Sequence, residues 1–262
     1  MAEEEQVKEL ASSGEGVAVL IPAYNEEGRV GKVVADVQRT LPKADVVVID
    51  DGSRDRTWHE AYDAGAITIC MPVNSGYGAA LQTGYKFAVR QGYPVVAQID
   101  GDGQHQASYL VPMLETLYRE EADVVIGSRF LARDGHYRPS LARSLGIGLF
   151  ARIATLACGQ RISDPTSGFQ VMRHQVAKFF CTPVYPTDYP DADILILLHR
   201  TGFKVREVAV RMRPPEGDSM HAAHTTPYYV YKMLLSIGVT LLRPKGKVAL
   251  DELDLGAPMQ VL

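Results

Sequence analysis

The sequence predicts an α/β sandwich built on a mostly parallel central sheet, and three observations carry the prediction. Short β-branched apolar runs alternate with stretches of helical spacing, the pattern of βαβ units around a sheet buried on both faces. Polar, glycine-rich segments follow one run after another, where an open parallel sheet places its ligand crevice. The 262 residues are 46% hydrophobic and 22% charged, enough apolar material for one sizeable core.

The elements follow in order. The acidic start, MAEEEQVKEL, is unlike a secretory leader, which begins basic and turns apolar; residues 1–15 are expected to be a flexible N-terminus. VAVLI (17–21) reads as the first strand, and Val30, Val33, Val34, Val37 and Leu41 recur at helical spacing. VVVI (46–49) is the second strand, with a polar helix over 55–64. AITICM (66–71) precedes a helix over 77–91, and VVAQI (95–99) precedes one over 108–120 despite Pro112. VVIG (124–127) closes the series. Beyond it the rhythm changes: a loop rich in Arg and Tyr (129–140), a helix over 141–157, a turn at DPTSG (164–168) and a strand at FQVMR. A helix over 191–199, an alternating strand VREVAVRM (205–212) and a helix over 228–242 complete the reading, with a tail beyond Pro244.

Composition excludes several classes. Lys plus Arg is 27 against 31 Asp plus Glu, a net charge of −4, so no basic excess draws the whole chain onto nucleic acid. Cys70, Cys158 and Cys181 are few and far apart, which suits a reducing cytoplasm and gives no metal clip. No apolar run approaches the ~18 residues of a spanning helix.

The chemistry sits just after the strands. Asp100-Gly101-Asp102-Gly103-Gln104-His105 is a D-x-D pattern at a strand end. Its two carboxylates, with the Gln104 carbonyl oxygen, form an all-oxygen donor set suited to Mg²⁺ or Mn²⁺ on a diphosphate; two Asp-Gly turns are the alternative. Asp50 and Asp51 can accept hydrogen bonds from a base or ribose, while Ser53 or Asp55 caps the next helix. Asn74-Ser75-Gly76-Tyr77-Gly78 either brings backbone close to a ligand or simply turns into a helix. It lacks G-x-G-x-x-G spacing and follows the third strand, which speaks against a dehydrogenase. Among the central arginines, Arg129 and Arg143 are the candidates for phosphate forks. Asp191 and Asp193 open an apolar helix, as a base or as charges matched to the helix dipole. The H-x-x-H pair His221 and His224 has no third ligand nearby.

Taken in order, PAYNEE, VVVIDDGSRDRT, NSGYGAALQTG, QIDGDGQH, VVIGSR, DPTSGFQVMR and YPDADILI resemble glycosyltransferase family 2, in its dolichol-phosphate mannose synthase-like, polyprenyl-phosphate branch. The resemblance covers residues 16–220 and implies a GT-A fold there; beyond it the sequence itself reads as a C-terminal helix (221–243), which packs on the core or lies on a membrane, and a tail (244–262). The resemblance also implies a metal-dependent inverting enzyme that moves a hexose from GDP-mannose or a UDP-sugar to a polyprenyl phosphate. By position, Pro22, Ala23, Tyr24 and Glu26 would line the nucleotide pocket and Asp51 would read base or ribose. Asp100, Asp102 and Gln104 would hold Mn²⁺ or Mg²⁺, Arg129 and Arg143 would face phosphates, and Asp191 would be the base for an acceptor hydroxyl. The branch's basic R-x-x-G-x-S-K-like ending reads Arg213-Pro-Pro-Glu-Gly217-Asp-Ser219-Met220 here, with methionine in the place of the lysine.

A polyprenyl phosphate is the expected acceptor, a sugar or protein hydroxyl the alternative. A sugar-phosphate nucleotidylyltransferase would want a Gly-rich, Arg-bearing first loop, for which PAYNEEGR is a poor substitute. A non-catalytic nucleotide-sugar module has no use for the carboxylates at 100 and 102. The enzyme is expected in the cytoplasm; YYVYKMLLSIGVTLL (228–242) reads first as a helix packed on the core or in a homodimer interface, with a peripheral seat on the membrane face as the alternative.

Overall fold

Alternation along β1 (Val17–Ala23) decides which layer each side chain joins. Val17, Val19 and Ile21 point into one apolar cluster, whereas Ala18 and Leu20 point into a second on the opposite face. Each fully buried Val, Leu or Ile contributes roughly 1.5–3 kcal/mol, so this register is strongly specified. The structure, a computed structural model, describes residues 2–131, 141–186, 190–213 and 227–243.

The first face carries α1 (Ala2–Ser13), α2 (Val30–Thr40), α3 (Thr57–Asp63) and α5 (Leu110–Arg119). The second carries α4 (Tyr77–Arg90), α6 (Leu141–Cys158), α7 (His174–Phe180), α8 (Ala192–Arg200) and α9 (Pro227–Leu242). Pro112 stands in the first turn of α5, where its missing N–H is tolerated. One expectation is corrected and one unforeseen element is added. The N-terminal segment expected to be flexible forms α1, which packs against α5 and buries Ala11 completely. The helix α7 was not foreseen; at seven residues it is too short to show a period of its own.

The seven-stranded sheet has the order β3-β2-β1-β4-β6-β5-β7. Its other strands are β2 (Asp45–Asp50), β3 (Ile67–Cys70), β4 (Val95–Gln98), β5 (Val124–Ser128), β6 (Gln170–Arg173) and β7 (Val205–Ala209). Neighbours are parallel except β6, which enters antiparallel between β4 and β5. The sheet therefore extends past residue 130, but β1 to β5 still end on one edge. There Ala23 stands beside Asp50 and Asp50 beside Cys70.

Candidate active site

The loop after β1 is clasped to the loop after β2. The backbone N–H groups of Asn25, Glu26 and Glu27 donate to Ser53 Oγ at 2.9 Å, Thr57 Oγ1 at 2.7 Å and Asp55 Oδ2 at 3.2 Å. Gly28 N–H donates to the Glu60 carboxylate at 2.7 and 2.9 Å, and Arg54 N–H returns a bond to Asn25 Oδ1 at 3.0 Å. Ser, Thr and Asp in DDGSRDRT thus satisfy the free backbone of PAYNEEG, which is why the two segments read as polar. Asp51 extends the clasp to the third loop: its two carboxylate oxygens accept Ser75 N–H at 2.7 Å and Gly76 N–H at 2.8 Å. Gly76 takes φ +98°, open to glycine and little else.

Pro22 and Ala23, expected in the pocket wall, are the buried last residues of β1 itself, and Tyr24 and Glu26 follow half-buried in the loop. Burial pushes the Glu26 carboxyl up to about 7, against the pull of Arg29, whose Nε lies 2.6 Å away; Asp102, Asp100 and Asp55 add to the rise. Glu26, Asp100 and Asp102 therefore crowd negative charge at the end of β4. Gly101 fits against the Pro22 carbonyl oxygen, 3.1 Å from where a Cβ would stand.

Asp100 accepts a hydrogen bond from the Tyr77 hydroxyl on Oδ1 at 2.8 Å, and His105 Nε2 lies 3.3 Å from its Oδ2. Asp102 accepts the Gln104 backbone N–H at 2.9 Å and the Gln104 side-chain amide on its other oxygen. Gln104 thus turns its nitrogen toward Asp102 rather than offering a third oxygen. Among the described residues no three His, Cys, Asp or Glu side chains are placed to hold an ion by themselves. Two carboxylates at a strand end nevertheless fit a magnesium-like cation, which takes one or two protein carboxylates and completes its shell with substrate phosphate and water. The mutual repulsion recorded at Glu26 is what such a cation would relieve.

Arg129, expected to face phosphate, is buried and forks onto Asp164 through Nε at 2.6 Å and a second nitrogen at 2.7 Å; it also donates to Thr166. Glu207 on β7 accepts the N–H groups of Ser163 and Asp164 at 3.0 Å, and burial raises its pKa. These partners of DPTSG were missed because nothing in linear order ties residue 129 or 207 to 164. Arg143 falls within α6, but its side chain is outside the described residues. Asp191 is the N-cap residue of α8 and its side chain makes no capping bond. Asp193, just inside, is buried, accepts Ile194 N–H at 2.9 Å and the Ser236 hydroxyl of α9, and has its pKa raised by burial. A cavity of about 320 Å³ opens beside it, lined by Tyr185, Leu197, Ser236 and Arg243 among others. Arg213 donates its N–H to the Gln104 carbonyl at 2.7 Å and sends its guanidinium to Asp36 on α2. Gly217, Ser219, Met220, His221 and His224 lie outside the described residues.

Among the described residues no helix is long and apolar enough to cross a membrane.

Comparison with known proteins agrees with this architecture. The family model "Glycosyl transferase family 2" matches residues 18–180. A dolichyl-phosphate hexose transferase of Haloferax volcanii is 30% identical over 208 residues, covering 78% of this chain and 85% of the relative. A dolichyl-phosphate beta-glucosyltransferase of Trichomonas vaginalis is 28% identical over 225 residues, 78% of this chain and 68% of the relative. Among solved structures, glucosyl-3-phosphoglycerate synthase from Mycobacterium tuberculosis, in complex with Mn²⁺, UDP-glucose and phosphoglyceric acid, superposes with a TM-score of 0.67. It is 19% identical and is matched over 92% of this chain and 84% of that one. The fold is GT-A-like, and the nucleotidylyltransferase alternative is set aside. On the strength of a family match spanning more than half its length, the chain belongs to glycosyl transferase family 2 and is a glycosyltransferase.

Proposed function

We propose that the chain transfers a hexose, with inversion, from a nucleotide-diphosphate sugar to a polyprenyl phosphate, using Mn²⁺ or Mg²⁺. The observation that carries the reading is the strand-end pair Asp100 and Asp102 beside the loops after β1 and β3, each bonded to the loop after β2. The dolichyl-phosphate relatives support the acceptor class, and the Mn²⁺–UDP-glucose neighbour supports the donor class.

Each residue's task follows from charge. Asp100 and Asp102 would hold the cation, which would supply positive charge to the departing diphosphate. The cross-bonded loops hold the nucleoside rigidly, so little reorganisation is left for the moment of bond breaking. Asp51 takes part by fixing Ser75 and Gly76, whose loop would lie along the donor. A phosphate monoester, with a second pKa of ~6, is already ionised at neutral pH and attacks without a base.

The test is a screen of GDP- and UDP-sugars with Mn²⁺ and a short-chain polyprenyl phosphate. Formation of the glycosyl phosphate supports the reading, and absence of donor binding with any cation defeats it. A second reading, transfer to a hydroxyl, is favoured by the carboxylate of Asp191, which is not used as a helix cap. Asp191→Asn separates the two: nearly full activity fits a phosphate acceptor, and near-total loss fits a hydroxyl.

A lipid acceptor also calls for a lipid-facing surface. α6 exposes Leu145, Leu149 and Leu156 on one stripe, and α9 exposes Tyr231, Leu235, Val239 and Leu242 on another. Leu156 and Leu242 are 84% and 87% exposed. Both helices pack on α8 and carry Arg or Lys but no Asp or Glu, a composition suited to an anionic membrane surface. Reduced co-sedimentation with anionic vesicles after Leu156→Ser and Leu242→Ser supports this seat; a loss of dimer instead assigns the face to a second copy.

A further inference from the structure

The Asp100 carboxylate is gripped on both oxygens by residues from different parts of the fold. The Tyr77 hydroxyl, at the first residue of α4, holds Oδ1 at 2.8 Å. His105 Nε2, from the loop after β4, stands 3.3 Å from Oδ2. The His105 ring is buried and lies 4.9 Å from the ring of Phe169. Its Nδ1 has no hydrogen-bond partner, so Nε2 is the nitrogen whose hydrogen is useful.

The Tyr77 proton has a fixed direction. Gln98 Nε2 donates to the Tyr77 oxygen at 2.9 Å, and Gln98 Oε1 accepts the Tyr85 hydroxyl. The Tyr85 ring meets edge-on, with 5.6 Å between centroids, the ring of Tyr185, which lines the cavity between α8 and α9. Gln98 and the Tyr85 ring are buried within this chain. Gln98 thus donates to the Tyr77 oxygen, and the Asp100 carboxylate, which only accepts, takes the Tyr77 hydrogen. Gly168 closes over the pair: a Cβ there would stand 2.6 Å from the Tyr77 oxygen and 3.2 and 3.3 Å from the two Asp100 oxygens.

We infer that Tyr77 and His105 are positioning residues that lock the Asp100 carboxylate, under Gly168, in the orientation that presents its remaining lone pairs to the cation. The inference rests on the metal-dependent reading proposed above. Hydrogen bonds to a ligating carboxylate set its direction, and loss of such outer partners typically lowers metal affinity about 10–100-fold.

The experiment is calorimetric titration of the full chain with UDP and with GDP across a range of Mn²⁺ concentrations, beside thermal unfolding in Mn²⁺ and in EDTA. Tyr77→Phe keeps the ring and removes the hydroxyl. It is expected to raise the Mn²⁺ needed for half-maximal nucleotide binding about tenfold or more, and to shrink the Mn²⁺-plus-nucleotide rise in melting temperature. A purely structural hydroxyl would lower melting equally in Mn²⁺ and EDTA and leave the Mn²⁺ requirement unchanged; that result overturns the inference. Gly168→Ala attacks the same contact from outside, and its backbone is not in the positive-φ region. It should likewise raise the Mn²⁺ requirement, and the two changes together should cost less than the sum of their separate effects because Tyr77→Phe removes the tightest contact; fully additive losses would also overturn the inference. Asp100→Asn separates the two levels. If it abolishes Mn²⁺-dependent binding while Tyr77→Phe does not weaken it, the positioning role alone fails. If the unaltered chain shows no Mn²⁺-dependent binding, the role fails together with the reading beneath it.

Discussion

The loops after β1, β2 and β3 and those around the ends of β5 and β7 are ordered by opposite means. On the first side, short polar side chains satisfy the backbone of a neighbouring loop: Ser53 to Asn25, Thr57 to Glu26, Glu60 to Gly28. Many of these bonds are solvent-accessible, each worth about 0.5–1.5 kcal/mol net, and none is decisive alone. On the second side, order is concentrated in a few charges, the buried pair Arg129 and Asp164 and the half-buried Glu207 over the Ser163 and Asp164 backbone. A distributed clasp tolerates adjustment as a ligand enters, whereas a buried ion pair holds one arrangement and fails abruptly when halved.

The largest test of that contrast is Arg129→Ala. It leaves Asp164 fully buried and unpaired, and should destabilise by about 3–5 kcal/mol, roughly 6–20 °C in melting temperature at ~2–4 °C per kcal/mol. An unchanged melt would break the comparison and return Arg129 to the phosphate-binding role that its sequence position suggested. Next, Asp102→Asn lies where the two sides meet. It should cut transfer, assayed with radiolabelled nucleotide sugar, about a hundredfold or more with little effect on folding. Smaller again is Ser53→Ala, which removes one strand of the clasp. A loss of about 0.5–1.5 kcal/mol by urea denaturation is expected, and a loss as large as that of Arg129→Ala would erase the distinction.

The smallest effect concerns pH. Glu26 has its pKa raised from the usual 4.5 to about 7 by burial, with Asp102 and Asp100 contributing. The folded state therefore binds the proton more tightly than the unfolded chain. Its contribution is most favourable below pH 4.5 and declines as pH rises through 7. Glu26→Gln removes that decline, so its urea midpoint should gain on the unaltered chain between pH 5 and pH 8. A variant that loses ground over the same interval would show that the Arg29 ion pair outweighs burial.

Much of this was legible from the chain alone. The alternation VAVLI, VVVI, VVAQI and VVIG specified buried strands because a sheet covered on both faces needs apolar residues at every position. The polar segments were correctly placed at the strand ends, and the family resemblance agrees with the match over residues 18–180. Besides α7 and the partners of Asp164, three more things escaped. The helical state of residues 2–13 depends on docking to α5, since charged, weakly amphipathic stretches do not announce a packed face. The antiparallel insertion of β6 is a matter of strand order, about which periodicity is silent. Gln98 was visible as a polar residue inside an apolar strand, a signal that points to a buried partner without saying which.

Read by itself, the amino-acid order determined the periodicities, the layer each side chain joins and the chemical kinds of residue at the strand ends, because these depend on neighbours a few positions apart. Only tertiary structure decided which acid pairs with which base, that Arg129 faces Asp164, and that Tyr77, His105 and Gly168 converge on Asp100. Those contacts join residues tens of positions apart, and their energy exists only once the sheet has closed and water has left.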